Sequence, residues 1–355
     1  MAPRRRVTMK QVAEEAGVSV QTVSRVINQH PDVASETRQR ILDIVERLGY
    51  QPSNVARSLI QGRSYTLGIV GYGLQYYGPS RVLSGIERQS TELGYSLLLS
   101  LLRNPEEDGV QMLRDMMRHH VDGVIWAVTE VGNNRDWTED EVHRLGVPAI
   151  FLHTDQRPHL PIVDIDNCAG GRMATAHLIE QGSRSIGLVT GPRSWWAARQ
   201  RELGWRDGME KAGLSPRPDL VAEGDWSPAS GERGLAELLE RHPDLEGVFA
   251  CNDQMALGVL KMAQKRGLRI PEDLAVVGFD NIPEAAYFWP PLTTVHQDLD
   301  ALGRRAVQEL VRLIEGEQER VVWLQPSLIV RSSSARQGGA TQNASASHQA
   351  GRDAT

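Results

Sequence analysis

Apolar residues at the head of the chain recur with helical spacing. In TMKQVAEEAGVSVQTVSRVINQ (8–29), Val12, Ala13 and Ala16 share one face, which predicts a short helix. Thr8 is placed to cap it, and Gly17 to end it in a left-handed residue. Ser19 then caps a second helix in which Val23 and either Val26 or Ile27 point inward. That leaves Val20, Gln21, Thr22, Ser24, Arg25 and Asn28 facing outward, with Gln21 and Arg25 four apart on one face. SETRQRILDIVERL (35–48) reads as a third helix, with Ser35 as cap, a stripe of Ile41, Leu42, Val45 and Leu48, and Gly49 as stop. Residues 1–51 are thus expected to form a three-helix head containing a helix-turn-helix. Pro52 opens SNVARSLIQG, a helix of about two or three turns, marginal on its own in water. Residues 52–64 are read as a hinge helix and linker.

From Thr66 the pattern changes. Short apolar runs (TLGIVGY, YSLLLSLL, DGVIWAV, PAIFL, SIGLVTG, GVFACND and LAVVGFD) alternate with amphipathic stretches, among them 167–181, 197–212 and 253–266. Runs rich in Val, Ile and Leu between amphipathic helices predict an α/β architecture of parallel sheets with crossover helices. There are enough strands for two sheets in a core spanning 65–335. The last stretch, GGATQNASASHQAGRDAT, has no apolar stripe, so 336–355 is expected to be a disordered tail.

Composition sharpens this picture. A chain of 355 residues suggests about two or three domains. The formal net charge of −6 is unevenly spread: residues 1–63 hold 10 Lys/Arg against 6 Asp/Glu, leaving 29 against 39 for the remainder. A basic head on an acidic body fits nucleic-acid binding by the head alone. The triple Arg4-Arg5-Arg6 would add non-specific phosphate attraction. No apolar segment follows it and no run reaches membrane-spanning length, so a cytoplasmic protein is expected. Cys168 and Cys251 are far apart and fit reduced thiols. No metal-ligand spacing exists, and no cofactor is expected. Nor is there a G-x-S-x-G elbow, a P-loop or an H-E-x-x-H, while GIVGYG (68–73) lacks dinucleotide-binding spacing; an enzyme is not expected.

Two blocks, AEEAGVSVQTVSRVINQ and VASETRQRILDIVERLGYQPSNVARSL, resemble the DNA-binding signature of the lactose/galactose repressor family of bacterial transcription regulators. GDWS, NDQMALG, VVGFD and PPLTT extend the resemblance, which covers about 7–333 and is nearest the lactose-repressor type. The resemblance implies a two-lobed, periplasmic-binding-protein-like core: an N-lobe of about 66–165 and 298–324, and a C-lobe of about 166–297 and 325–335. The chain would cross between lobes near Ile165, Gln297 and Leu324, with Pro290-Pro291 stiffening the second passage. A helix-turn-helix presents the start of its second helix to the major groove, where Gln suits adenine and Arg suits guanine. Val20, Gln21 and Arg25 are therefore the candidates for base readout, with Thr22, Ser24 and Asn28 as further DNA contacts. The lactose-repressor type has Tyr at the first of these positions. Leu59 falls where the family wedges a Leu into the minor groove. The tail lacks a leucine heptad, which favours a homodimer over a tetramer.

Two-lobed parallel sheets bind ligands at the carboxyl ends of their strands. The resemblance implies that Arg201, Asn252 and Asp280 hydrogen-bond sugar hydroxyls while Trp226 stacks on the sugar's apolar face. Asp253 is read as a helix cap. Gly78-Pro79-Ser80 resembles the family's loop under the sugar, and Gln297 also matches. Three positions depart from the lactose-repressor type: His153 replaces an Asp, Tyr72 a small Ser, and Leu299 a Phe. The expectation is a dimeric repressor of double-stranded operator DNA, released by a sugar or glycoside, with galactosides among the candidates. The rival readings are a regulator using a corepressor or acting as an activator, and a transport-type sugar-binding protein.

Overall fold

The computed structural model describes residues 7–27, 30–50, 63–105, 109–318 and 320–335. Arg4–Arg6, Asn28, the hinge segment with Leu59, and the tail lie outside the described residues. The chain divides into two compact units, Met1–Tyr65 and Thr66–Thr355.

In the first unit, α1 (Met9–Ala16) opens with a capping box: Gln11 N–H donates to Thr8 Oγ1 at 3.4 Å, and Thr8 N–H to Gln11 Oε1 at 2.8 Å. Gly17 ends α1 at φ 65°, in the left-handed region. Ser19 Oγ accepts from Thr22 N–H at 3.1 Å and so caps α2 (Val20–Ile27). Val23 and Val26 are buried with Val12, Ala13 and Ala16, and Ile27 packs at their margin. The third helix, α3 (Ser35–Leu48), departs from expectation in two ways. Its cap position is Ala34, which makes no side-chain cap, so Ser35 is the first helical residue. Its buried residues are Ile41 and Ile44, with Leu42 exposed; Val45 and Leu48 pack at the edge.

The second unit holds two six-stranded sheets. The first contains β1 (Thr66–Gly71), β2 (Ser96–Leu101), β3 (Gly123–Ala127), β4 (Ala149–Phe151), β5 (Ile162–Ile165) and β11 (Val321–Leu324), in the order β11-β5-β4-β3-β1-β2. The second contains β6 (Ile186–Thr190), β7 (Val221–Glu223), β8 (Gly247–Ala250), β9 (Ala275–Asp280), β10 (Thr293–His296) and β12 (Ser327–Ile329), in the order β12-β10-β9-β8-β6-β7. All pairings are parallel except β10 with β12. The chain passes from one sheet to the other after β5, after β10 and after β11. Five strands escaped the sequence pattern: β5, β7, β10, β11 and β12. They span only three or four residues each, and Asp164 interrupts the apolar run of β5.

Helices α4 (Tyr77–Glu92), α5 (Gly109–Arg118), α6 (Thr138–Leu145), α7 (Asn167–Glu180), α8 (Trp196–Lys211), α9 (Pro228–Arg241), α10 (Asp253–Lys265) and α11 (Leu299–Ile314) cover the sheets. Three helix pairs meet backbone to backbone through reciprocal glycines. A Cβ at Gly171 of α7 would overlap the Arg201 carbonyl of α8, and one at Gly204 the Cys168 carbonyl. Gly231 and Gly258 join α9 to α10 in the same way, and Gly85 and Gly303 join α4 to α11. The second lobe's core is built on β6, β8 and β9, whose Leu188, Val248, Phe249 and Val277 are fully buried.

Candidate functional site

The head presents a polar helix face. Val20 at the start of α2 is 45% exposed, and Gln21 and Arg25 are exposed beside it. Thr22 is half-buried and its hydroxyl lies 2.9 Å from Ser19 Oγ, which ties it to the cap; Ser24 is also half-buried.

Between the two sheets lies a cavity of about 300 Å³. All nine effector candidates line it: Tyr72, Gly78, Pro79 and His153 from the first lobe, Arg201, Trp226, Asn252 and Asp280 from the second, and Gln297 at the passage between them. Leu299 lines it as well. They come from strand ends and helix starts, where backbone direction turns the side chains inward. Gly78 and Pro79 occupy the first turn of α4 rather than a loop, a position where proline's missing N–H costs nothing.

The polar end of the cavity is a buried network. Arg201 Nε donates to Asn167 Oδ1 at 2.8 Å, and Nη1 donates to the Cys251 carbonyl and stands 3.6 Å from Asp280 Oδ1. Its guanidinium lies 3.7 Å from the Phe279 ring centroid and 5.7 Å from that of Trp226. Burial lowers the Arg201 pKa, opposed by the Asp280 charge. Burial pushes the Asp280 carboxyl up to about 6, against the pull of Arg201 and of Gln297, whose Nε2 donates to Oδ1 at 2.5 Å. Asn252, not Asp253, caps α10: its Oδ1 accepts from Met255 N–H at 2.8 Å and its Nδ2 donates to the Trp226 carbonyl at 3.0 Å. One Nδ2 hydrogen of Asn252 is left for a ligand. Asp253 instead accepts from Thr294 Oγ1 at 2.6 Å and Ile282 N–H at 2.8 Å, pinning β9 and β10 to α10, and burial raises it to about 8.

His153 enters from the first lobe with Nδ1 3.4 Å from Oδ1 of Asp164, a fully buried carboxylate on β5. His153, Trp226 and Asp280 all hold positive φ, at 55°, 70° and 109°. Such conformations are costly for residues with a Cβ and gather at ligand sites.

Further side chains line the cavity without having been singled out in the sequence, among them Asn167, Tyr76, Tyr77 and Trp195. Trp195 follows β6 in TGPRSWW, and Tyr76 follows β1. The strand-end rule that pointed to Asn252 and Asp280 points to them equally. Trp195 packs edge-on to Tyr76 and Trp226, with centroids at 5.3 Å and 5.7 Å, and lies 6.1 Å from Tyr72.

Residues 8–53 match the model of bacterial regulatory proteins of the lacI family, and 175–334 match a periplasmic binding protein-like domain. The HTH-type transcriptional repressor PurR of Pasteurella multocida (strain Pm70) is 34% identical over 333 residues, covering 92% of this chain and 98% of that protein. The chain belongs to the LacI family. It is a DNA-binding transcriptional repressor of that family, and its relatives are repressors, not enzymes. The lac repressor dimer bound to operator and the anti-inducer ONPF is 31% identical with a TM-score of 0.84, covering 94% of this chain and 100% of that one. The transcriptional regulator CelR in complex with cellobiose is 33% identical with a TM-score of 0.68, covering 92% and 100%. The α/β fold class and helix-turn-helix head expected from the sequence are those of this LacI-family repressor. Among the described residues, no helix is long and apolar enough to cross a membrane.

Proposed function

We propose that this repressor's operator affinity is set by a saccharide or glycoside held in the cavity between its lobes. One observation carries the reading. Trp226 stands beside a guanidinium, a carboxylate and two carboxamides, all buried and all at one end of the cavity. Arg201, Asn252, Asp280 and Gln297 offer donors and acceptors to neighbouring hydroxyls, while the indole covers a C–H face. Two structural neighbours were solved with ligands that support this class: CelR with cellobiose, and the lac repressor with ONPF or ONPG. Tyr72, Gly78, Pro79 and His153 close the cavity from the first lobe. The same rings would also stack on a planar heteroaromatic base. Isothermal titration with glucose, galactose, cellobiose, an aryl β-galactoside and purine bases is therefore the test. Heat from a saccharide alone supports the reading; silence from every saccharide overturns it.

On DNA, Val20, Gln21 and Arg25 read bases while Thr22 and Ser24 position the head. Arg25→Ala should cost about 1–3 kcal/mol on operator and relax specificity at one base; an equal loss on random DNA contradicts that role. Operator binding with and without bound saccharide gives the sign of coupling, and release on binding is the expected sign. The protein acts as a cytoplasmic homodimer: Leu99 and Leu101 on edge strand β2 are 41% and 49% exposed, and Tyr287 and Trp289 are 89% and 92% exposed. Exposed apolar side chains close together on a strand or a loop suit self-association. Sedimentation at micromolar concentration checks it.

A further inference from the structure

We infer that the cavity is built for a two-ring ligand, a polyhydroxylated ring joined to a second flat ring, and that Trp195 selects it by stacking on the second ring. The inference rests on the saccharide reading above and narrows it. The cavity changes character along its length. Arg201 lies 5.7 Å from the Trp226 ring, Trp226 lies 5.7 Å from Trp195, and Trp195 lies 5.3 Å from Tyr76 and 6.1 Å from Tyr72. Beyond Arg201, the rings of Trp226, Trp195, Tyr76 and Tyr72 follow one another in contact. A single sugar ring placed on Trp226 within reach of Arg201, Asp280 and Asn252 leaves Trp195, Tyr76 and Tyr72 uncovered. A second ring with an apolar or π face covers them. It can be the next sugar of a β-linked disaccharide or the aryl group of a glycoside.

Trp195 is also held where it can discriminate. Its N–H donates to the Pro192 carbonyl at 2.9 Å, and it forms a β-bridge with Val131 of the first lobe. The next residue, Trp196, donates its N–H to the Glu130 carbonyl at 3.0 Å and stacks on Trp323 of β11, with centroids 6.2 Å apart and planes 18° apart. These anchors use the backbone of Trp195 and the ring of its neighbour, while the indole of Trp195, half-buried against Tyr76 and Trp226, lines the cavity. Trp226, its partner, is clamped against Gly191, where a Cβ would overlap the indole.

The test is isothermal titration of the full-length protein and of Trp195→Ser and Trp195→Phe. The probes are cellobiose and o-nitrophenyl β-galactoside, each against its monosaccharide, glucose or galactose. The wild type should bind at least one two-ring probe about tenfold tighter than its monosaccharide, in keeping with one good aromatic contact. Trp195→Ser should weaken the two-ring probe about tenfold more than its monosaccharide and so erase that advantage, while Trp195→Phe keeps most of it. Melting curves of both variants establish that the core is folded. Tight cellobiose identifies the second ring as a sugar, and a tight aryl galactoside alone identifies it as an aglycone. Equal wild-type affinity for one ring and two overturns the inference while the saccharide reading stands, as does equal loss of both probe types in Trp195→Ser. Binding of no saccharide removes both.

Discussion

Asp280 and Asp253 are both buried near the carboxyl end of β9, yet they predict different pH effects. Asp280 faces the cavity and is raised to about 6 by burial. If its carboxylate accepts ligand hydroxyls, affinity should hold above that value and fall as pH drops through it. Titration at pH about 5 and about 7.5 reads this out, and Asp280→Asn should flatten the profile at lower affinity. Asp253 faces the protein and is raised to about 8, again by burial. A carboxyl whose folded value lies above its unfolded one binds its proton more tightly in the native state. Its stabilising contribution is complete below about 4 and is lost as pH rises to about 8, the reverse of an ion-paired aspartate. Melting between pH about 5 and about 8.5 should show a decline that Asp253→Asn weakens. The tandem Asn252-Asp253 also shows where sequence reading stops. Both residue types cap helices well, and only the reach of Thr294 and Ile282 to Asp253 leaves the cap to Asn252.

At the scale of elements, legibility followed length and local chemistry. Helices α1 and α2 were readable because their signals are local: a capping box, a left-handed glycine and an apolar face. The start of α3 was misplaced by one residue because Ser35, a strong capping type, follows an alanine that takes the cap position without a side-chain bond. The strands β5 and β10 were hidden because polar residues break them (IVDI and TTVH), whereas the equally short β4 and β8 stand in unbroken apolar runs. Closeness between helices was equally invisible, since a glycine in a helix looks like a weakness until its neighbour is known. Gly204→Ala tests that closeness. Its Cβ would strike the Cys168 carbonyl of α7, so α8 must shift and carry Arg201 away from Asn167. Overpacking of this kind costs about 1–3 kcal/mol or more. We expect a lower melting temperature and a loss of ligand affinity larger than the stability loss alone explains.

For the whole molecule, charge was legible in composition, and the allegiance of strands to sheets only through the family resemblance, which put the passages near Ile165, Gln297 and Leu324. The excess of basic over acidic side chains in residues 1–63, against the acidic remainder, is plain in the sequence. Operator affinity should therefore fall steeply and log-linearly with salt, measured by fluorescence anisotropy from about 50 to 200 mM. Which strand belongs to which sheet could not be read from composition, because the three passages between sheets follow residues that look like any other strand end. A ligand that bridges the lobes should raise the melting temperature of the Thr66–Thr355 unit, by about 2.7 kcal/mol of added stability at a hundredfold excess over Kd. The glycine-locked helix pairs bear on how such a sensor diversifies. Because Gly171 with Gly204, Gly231 with Gly258, and Gly85 with Gly303 weld each pair into a single beam, the walls of the chamber are mounted on girders that do not yield when a wall residue is exchanged. Tyr72, His153 and Trp195 line the cavity outside these contacts, so each can be exchanged without prising a helix pair apart.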